Sequence, residues 1–165
     1  MEIKRPDMGP HDLHVVVADY ETRHVGSAQC FNASGVRLWQ IPAIGKGVNG
    51  PSTKVRGGDT PPGLYLAGKI TESQPGEPRH LWNQYGRWFI DMIERQEQER
   101  SIGRSEIGWH GGGTGLPDPL APRQRLIATL GCVRSHNEDM HKVVIPALHR
   151  CRAEGGQMWI TVHQF

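Results

Sequence analysis

The fold is decided by the segment 129–150, which reads TLGCVRSHNEDMHKVVIPALHR. Its second half predicts an amphipathic helix over about 138–150, because apolar residues recur there at helical spacing. These residues are Met140, Val143, Val144, Ala147 and Leu148. Asn137 is the expected N-cap, and two acidic residues follow it in the first turn. Pro146 has no backbone N–H, so we expect it to kink or split this helix.

Outside this helix the chain is predicted to be mainly β. It contains 21 glycines and 12 prolines, which both weaken helix interiors. Short apolar stretches bounded by turn signals predict strands. These stretches lie at 13–18, 36–41, 64–66, 87–93 and 157–163. A length of 165 residues suits one domain, which we place over residues 13–165 after an N-terminal extension of residues 1–12.

The composition excludes several classes of protein. Nineteen basic and 17 acidic residues give a net charge of +2, which is too balanced for a dedicated nucleic-acid binder. No apolar run approaches the ~18 residues that a membrane span needs. Residues 1–12 also lack the apolar core of a Sec signal peptide. Cys30, Cys132 and Cys151 form no CxxC pair, and their odd number argues against a disulfide framework.

A His-Gly pair and a Gly-Cys pair suggest covalent chemistry. A cysteine nucleophile needs a base, a group that orients the base, and N–H donors for an oxyanion. His110 can serve as the base for Cys132, and the Gly111 carbonyl can hold the tautomer of its imidazole. Gly131 permits a tight turn, where its N–H and that of Cys132 would face the same point. From the residues alone, a glycine-rich turn with a buried thiol remains the alternative.

These pairs resemble the catalytic motif of the L,D-transpeptidase (YkuD-like) family. That motif is His-Gly, a spacer, and Ser/Thr-x-Gly-Cys-hydrophobic-Asn/Arg. The matching positions are His110, Gly111, Thr129, Gly131, Cys132, Val133 and Arg134. Residues 59–65 (DTPPGLY) resemble the family's Thr-Pro-x-Gly-aromatic strand start, and Gly45-Lys-Gly47 falls where a glycine precedes it. Asn137 and Asp139 resemble the family's Asn-x-Asp, so the resemblance covers about residues 13–162.

The resemblance implies a β-sandwich-like catalytic fold and a cysteine acyltransferase that acts on peptidoglycan tetrapeptide stems. Cys132 would attack the diaminopimelate carbonyl, release D-alanine and form a thioester, with His110 as the base. An acceptor amine or water would resolve the thioester, and a carbapenem would acylate the same cysteine. Arg134 and Thr129 would position the stem, and Trp109, which adjoins the base, is a further candidate for substrate contact. No metal or organic cofactor is implied, and a monomer is expected.

Some positions keep alternatives open. Leu130 stands where many members of the family have a histidine, so His110 is the favoured base and His136 the less favoured one. A zinc peptidase is disfavoured, because His136 and His141 would point about 140° apart around a helix. An α/β-hydrolase would need G-x-S-x-G, and a nucleotide loop would need Gly-Lys-Ser/Thr after the glycines, which the run that begins at Gly111 lacks.

The substrate class implies action in the periplasm or cell wall. Because residues 1–12 show no Sec signal, an alternative is an antibacterial effector or phage-associated enzyme that is exported by another route. Such a protein would use the same site for L,D-carboxypeptidase activity or D-amino-acid exchange. Its partners would include an immunity protein or a secretion-system carrier besides the stem peptides. A non-catalytic wall-binding module is the third hypothesis.

Overall fold

The computed structural model describes residues 2–19, 25–74, 79–96 and 106–165. Strands dominate these residues. They are β1 (Leu13–Asp19), β2 (Gly26–Asn32), β3 (Arg37–Ala43), β4 (Gly63–Glu72), β5 (Trp88–Glu94), β6 (Gly108–His110), β7 (Val133–Arg134) and β8 (Met158–Gln164). The helical parts are α1 (Arg79–Tyr85), α2 (Asn137–Asp139), a π-helical turn (Met140–Val144) and α3 (Ile145–Ala153). The mainly β class and the helix after Cys132 are therefore confirmed.

The strands form one sheet in the order β3-β2-β1-β8-β4-β5-β6-β7. The pairs β1–β8 and β6–β7 are parallel, and the other neighbours are antiparallel. The two edges of the sheet also meet. Ile44, directly after β3, exchanges backbone hydrogen bonds of 2.9 and 2.8 Å with Arg134 of β7. The sheet is thus nearly closed, and we call this contact the seam.

The core lies between the sheet and the helical segment after β7. Val15, Val17, Ile160 and Val162 come from the central strands and are fully buried. Met140, Val144 and Leu148 pack against them from the helical side, whereas Val143 and Ala147 lie at the partly buried margin. Burial of each such aliphatic side chain stabilises the folded state by about 1.5–3 kcal/mol. No helix among the described residues is long and apolar enough to cross a membrane.

The start of the helical segment differs from the sequence prediction. His136 occupies the N-cap position with extended backbone and no side-chain capping bond. Asn137 is the first helical residue, so its prediction as N-cap was wrong. Gln124 replaces the cap, since its Oε1 accepts the N–H of Asn137 at 2.8 Å. Pro146 follows a π-helical turn, and the backbone stays helical at Val144 and Ile145, so the segment changes from π-helix to α-helix just before Pro146 rather than ending there.

Candidate active site

The predicted nucleophile and base lie on the same face of the sheet. In the parallel pair β6–β7, Trp109 is opposite Val133 and His110 is opposite Arg134. Because successive side chains of a strand alternate between faces, His110 and Arg134 share one face. Cys132 directly precedes β7, and the cavity it lines is on that side of the sheet. Both Cys132 and His110 line one cavity, which is where the sequence motif is brought together.

This cavity has a volume of about 1240 Å³ and opens on the face of β4–β7 that is turned away from the core. A space of that size suits a peptide rather than a small metabolite. Four apolar side chains on its walls are at least one-third exposed: Val48, Leu81, Ile93 and Leu130. The ionisable wall residues other than Cys132, His110 and Tyr85 are Arg56, Asp91, Glu106 and Arg134.

His110 is held in one tautomer. Its Nδ1 lies 2.7 Å from the Gly111 carbonyl oxygen. Because a carbonyl only accepts, Nδ1 must carry the proton, and Nε2 keeps its lone pair. The contact predicted between the Gly111 carbonyl and the imidazole is therefore present, and its part in catalysis stays a prediction. Phe89 stacks on the imidazole with ring centroids 5.5 Å apart, and Tyr85 meets it edge-on at 4.9 Å.

The environment keeps His110 neutral. Burial and, to a smaller extent, the nearby Arg134 charge lower the pKa of its imidazole to about 3, although the hydrogen bond to the Gly111 carbonyl opposes this shift. At neutral pH Nε2 therefore has a free lone pair, and the low pKa makes it a weak base. An imidazolium formed here would be destabilised, so it would return its proton readily to a leaving group.

Asn137 fixes the backbone that follows the base. Its Oδ1 accepts the Gly112 N–H at 2.8 Å, and its Nδ2 donates to the carbonyls of Pro119 and Ala121 at 2.9 and 2.8 Å. A Cβ atom on Gly111 would collide with Asn137 Oδ1, so this position requires glycine. Gly112 has φ +69°, which also favours glycine.

The Arg134 side chain is hydrogen-bonded to backbone carbonyls of this protein. Its guanidinium donates to the carbonyls of Gly111 (3.1 Å), Ile127 (2.7 Å), Ala128 (3.1 Å) and Gln84 (3.2 Å). An arginine has five N–H groups, so these bonds use most of them. The side chain therefore ties helix α1 to the loops that contain Gly111 and residues 127–128, and it holds the carbonyl that orients the base. This differs from the predicted contact with a substrate carboxylate.

The Cys132 thiol has polar neighbours that sequence reasoning did not find. Its Sγ lies 3.7 Å from the Glu106 carbonyl oxygen, to which the thiol donates. Burial raises the pKa of the Tyr85 hydroxyl, and Cys132 and Glu106 raise it further, so this hydroxyl keeps its proton at neutral pH. Burial lowers the pKa of Arg134 to about 10, and attraction to Cys132 opposes this. That attraction is mutual and stabilises a thiolate.

Thr129 shapes the turn that presents the nucleophile. Its Oγ1 accepts the Gly131 N–H at 2.9 Å and donates to the Cys132 carbonyl at 2.8 Å. Gly131 has φ +114°, so the turn needs glycine. The Gly131 N–H is thus already hydrogen-bonded. Its predicted role as an oxyanion donor stays a prediction, which requires that this bond be shared or released.

Two other predicted residues lie away from the cavity walls. Trp109 is fully buried and donates from Nε1 to Ser135 Oγ at 3.0 Å. It belongs to the core face of β6, which speaks against the predicted substrate contact. His136 Nδ1 lies 2.8 Å from the Gln124 carbonyl oxygen, at the start of the helix. His110 is therefore the described histidine that lines the cavity together with Cys132.

Phe89, Tyr85 and Glu106 were missed because they carry no motif spacing. Phe89 reaches His110 through the register of β5 and β6, in which the two residues are paired. An aromatic residue in a strand next to a His-Gly strand is the only signal the sequence offered.

No group of three or more His, Cys, Asp or Glu side chains among the described residues could hold a metal ion.

The sequence matches no family model and no curated protein. The structure is similar to that of Bd1075 from Bdellovibrio bacteriovorus, with a TM-score of 0.53 and 18% identity over 91% of this chain and 47% of that chain. It is also similar to the helical cell shape determining protein Pgp2 from Campylobacter jejuni, with a TM-score of 0.55 and 16% identity over 93% of this chain and 48% of that one. At these identities the likeness shows the fold alone, and this chain spans about half the length of both.

Proposed function

We propose that the protein is a cysteine acyltransferase of the L,D-transpeptidase type, acting on peptidoglycan tetrapeptide stems. The observation that carries this proposal is the oriented, neutral His110 on the same cavity wall as Cys132. A buried thiol in a structural role would need neither a fixed imidazole tautomer nor a large open cavity. The fold similarity to a protein that determines helical cell shape favours a substrate in the cell wall.

Acylation begins when His110 Nε2 takes the Cys132 thiol proton. The sulfur attacks the carbonyl carbon of the diaminopimelate–D-alanine bond, and the π electron pair of that carbonyl moves to its oxygen. The Cys132 N–H is the proposed donor to this oxyanion. When the oxyanion collapses, the C–N bond breaks, His110 gives its proton to the amine of D-alanine, and a thioester remains.

In deacylation His110 acts first as a base towards the acceptor, and the Cys132 sulfur is the leaving group. An acceptor amine or water attacks the thioester, and His110 takes a proton from it as the new bond forms. The Cys132 sulfur leaves as thiolate and recovers the proton from the imidazolium. Transfer to an amine gives a cross-link or a D-amino-acid exchange product, and transfer to water gives a tripeptide stem.

The charges on the cavity wall fit a substrate with both carboxylate and amine groups. Because Arg134 donates to backbone carbonyls, Arg56 is the exposed cation on the described wall. We assign it the stem carboxylate, since an arginine fork pairs well with that group. Asp91 and Glu106 supply negative charge for an amine on the same wall.

The test is mass spectrometry of purified disaccharide-tetrapeptides after incubation with the protein. We expect tripeptide products, with cross-linked dimers if stem amines accept, and exchange products if D-methionine is added. Cys132→Ala is the inactive control, and Cys30→Ala is the matched cysteine control outside the cavity. Unchanged tetrapeptides with the folded wild-type protein, with and without an added amine, would contradict the proposal.

A further inference from the structure

A group of buried charges lies beneath the nucleophile turn and outside the large cavity. Lys46 Nζ lies 3.0 Å from Asp19 Oδ2 and 3.4 Å from Asp59 Oδ2. The three side chains are 3%, 1% and 0% exposed, respectively. Burial raises the pKa of Asp19, while the Gly45 N–H and Lys46 oppose it. We call these three residues the ion cluster.

The ion cluster also grips the backbone. Asp19 Oδ1 accepts the Gly45 N–H at 3.1 Å, and Asp59 Oδ1 accepts the Gly47 N–H at 2.8 Å. The residues on both sides of Lys46 are therefore fixed by the same carboxylates that neutralise its charge. A buried ion pair seldom stabilises a fold more than apolar side chains of equal volume would. Its clearest effect is therefore on backbone geometry rather than on the free energy of folding.

The backbone of Lys46 is hydrogen-bonded to the turn that precedes Cys132. Its carbonyl accepts the Thr129 N–H at 2.8 Å, and the Thr129 carbonyl accepts the Val48 N–H at 2.8 Å. Thr129 is the residue whose hydroxyl shapes the turn before Cys132. A shift of Lys46 would therefore displace that hydroxyl.

A second connection runs through the neighbour of Asp59. Thr60 Oγ1 donates to the Gly131 carbonyl at 2.7 Å, in a fully buried position. The Thr60 N–H in turn donates to the Gly45 carbonyl at 2.7 Å, so Thr60 is tied to the loop that the ion cluster holds. The carbonyl and the N–H of Gly131 are thus both bound, by Thr60 and by Thr129.

We infer that the ion cluster and Thr60 are positioning residues for Cys132. They hold Gly131 in its left-handed conformation and so aim the thiol at His110. This assigns a purpose to the two stretches 45–47 and 59–60, which the proposed chemistry does not itself use. The inference rests on the proposed function for its meaning in catalysis, but the thiol reactivity that it predicts can be measured without any wall substrate.

The experiment compares second-order rates of Cys132 alkylation by iodoacetamide from pH 6 to 9, measured by peptide mapping. Thr60→Val keeps the side-chain shape and removes the hydroxyl, whereas Thr60→Ser retains it. Thr161→Val is the matched control, because it removes another buried hydroxyl, which contacts His14 Nε2 at 2.7 Å. We expect about a tenfold slower reaction for Thr60→Val at pH 7, and rates within about twofold of wild type for Thr60→Ser and Thr161→Val.

Lys46→Met is a second variant that tests the ion cluster and replaces the first if Thr60→Val does not fold. It should slow alkylation in the same direction in a protein that still melts cooperatively. Wild-type alkylation rates and pH profiles in folded Thr60→Val or Lys46→Met would overturn the inference. Slow alkylation by these variants, together with inactive wild-type protein on stem peptides, would overturn the proposed function and leave the positioning role standing.

Discussion

Cys132 and the pair of Cys30 and Cys151 show how two regions of one fold treat the same side chain. All three are at least nine-tenths buried, so exposure does not separate them. Burial raises the pKa of Cys30 to about 12 and also raises that of Cys151, and neither lines the large cavity. Cys132 instead shares the cavity wall with a neutral imidazole and a guanidinium. Polar neighbours and a place on the cavity wall, rather than the degree of burial, therefore distinguish Cys132, the proposed nucleophile, from the two core thiols.

The largest effect is expected from removing the Cys132 thiol itself. Cys132→Ala should lower turnover of tetrapeptide stems by at least about 1000-fold, because no other described thiol can form the thioester. Cys30→Ala and Cys151→Ala should keep most of the turnover, with melting temperatures a few degrees lower from the lost packing. Product formation by mass spectrometry measures all three. Substantial activity in Cys132→Ala would remove the proposed nucleophile.

The next effect concerns the base. His110→Gln should slow turnover by about 100-fold or more, the usual scale for general acid–base catalysis. His136→Gln should change it by less than about threefold, since His136 contacts the Gln124 carbonyl at the start of the helix. Initial rates at pH 7 provide the comparison. If the two variants exchanged these effects, the role of base would pass to His136.

Acid stability offers a smaller effect that does not depend on activity. The folded pKa of His110 is about 3, below its ordinary 6.5, so below pH 6.5 the unfolded state binds a proton that the folded state does not. The free energy of unfolding is therefore unaffected by this group above pH 6.5. Between pH 6.5 and 3 it falls by about 1.4 kcal/mol for each pH unit that the pH drops. Urea unfolding of His110→Gln should therefore show a shallower acid dependence than wild type. The exposed His149→Gln is the control, and equal slopes in all three proteins would contradict the assignment.

The smallest expected effect sharpens the contrast between the cavity and the rest of the surface. Arg56→Gln should raise the KM for stem peptides about fivefold with little change in kcat, as one exposed ion pair contributes at most about 1 kcal/mol. Lys54→Gln removes a cation from the same loop at a position that is not on the cavity wall. It should leave KM unchanged. Equal KM values in both variants would place the carboxylate site elsewhere.

The parts of the fold and site that could be predicted are those encoded locally. The helix followed from its apolar spacing, and the bond from His110 Nδ1 to Gly111 followed from two adjacent residues. The face taken by Trp109 could not be predicted, because it depends on the register of β6 with two other strands. The bonds of Arg134 to four carbonyls could not be predicted either, because two of the acceptors, Gly111 and Gln84, are 23 and 50 residues away in sequence. Asn137 fits a capping pattern, yet tertiary contacts use its side chain to hold Gly112.

The seam between Ile44 and Arg134 has a consequence for how activity arises during folding. The seam joins two residues that are 90 positions apart in the sequence. Such long loops close slowly, because conformational entropy is lost before the new contacts form. Val133 and Arg134 adopt their register with β6 in the same strand that closes the sheet. The turn before Cys132 is bound to Lys46 and Thr60 on the other side of the seam, so it would reach its final geometry only late in folding. A partly folded chain would carry an ordinary thiol, and the proposed acyl-transfer activity would appear only when the nearly closed sheet is complete.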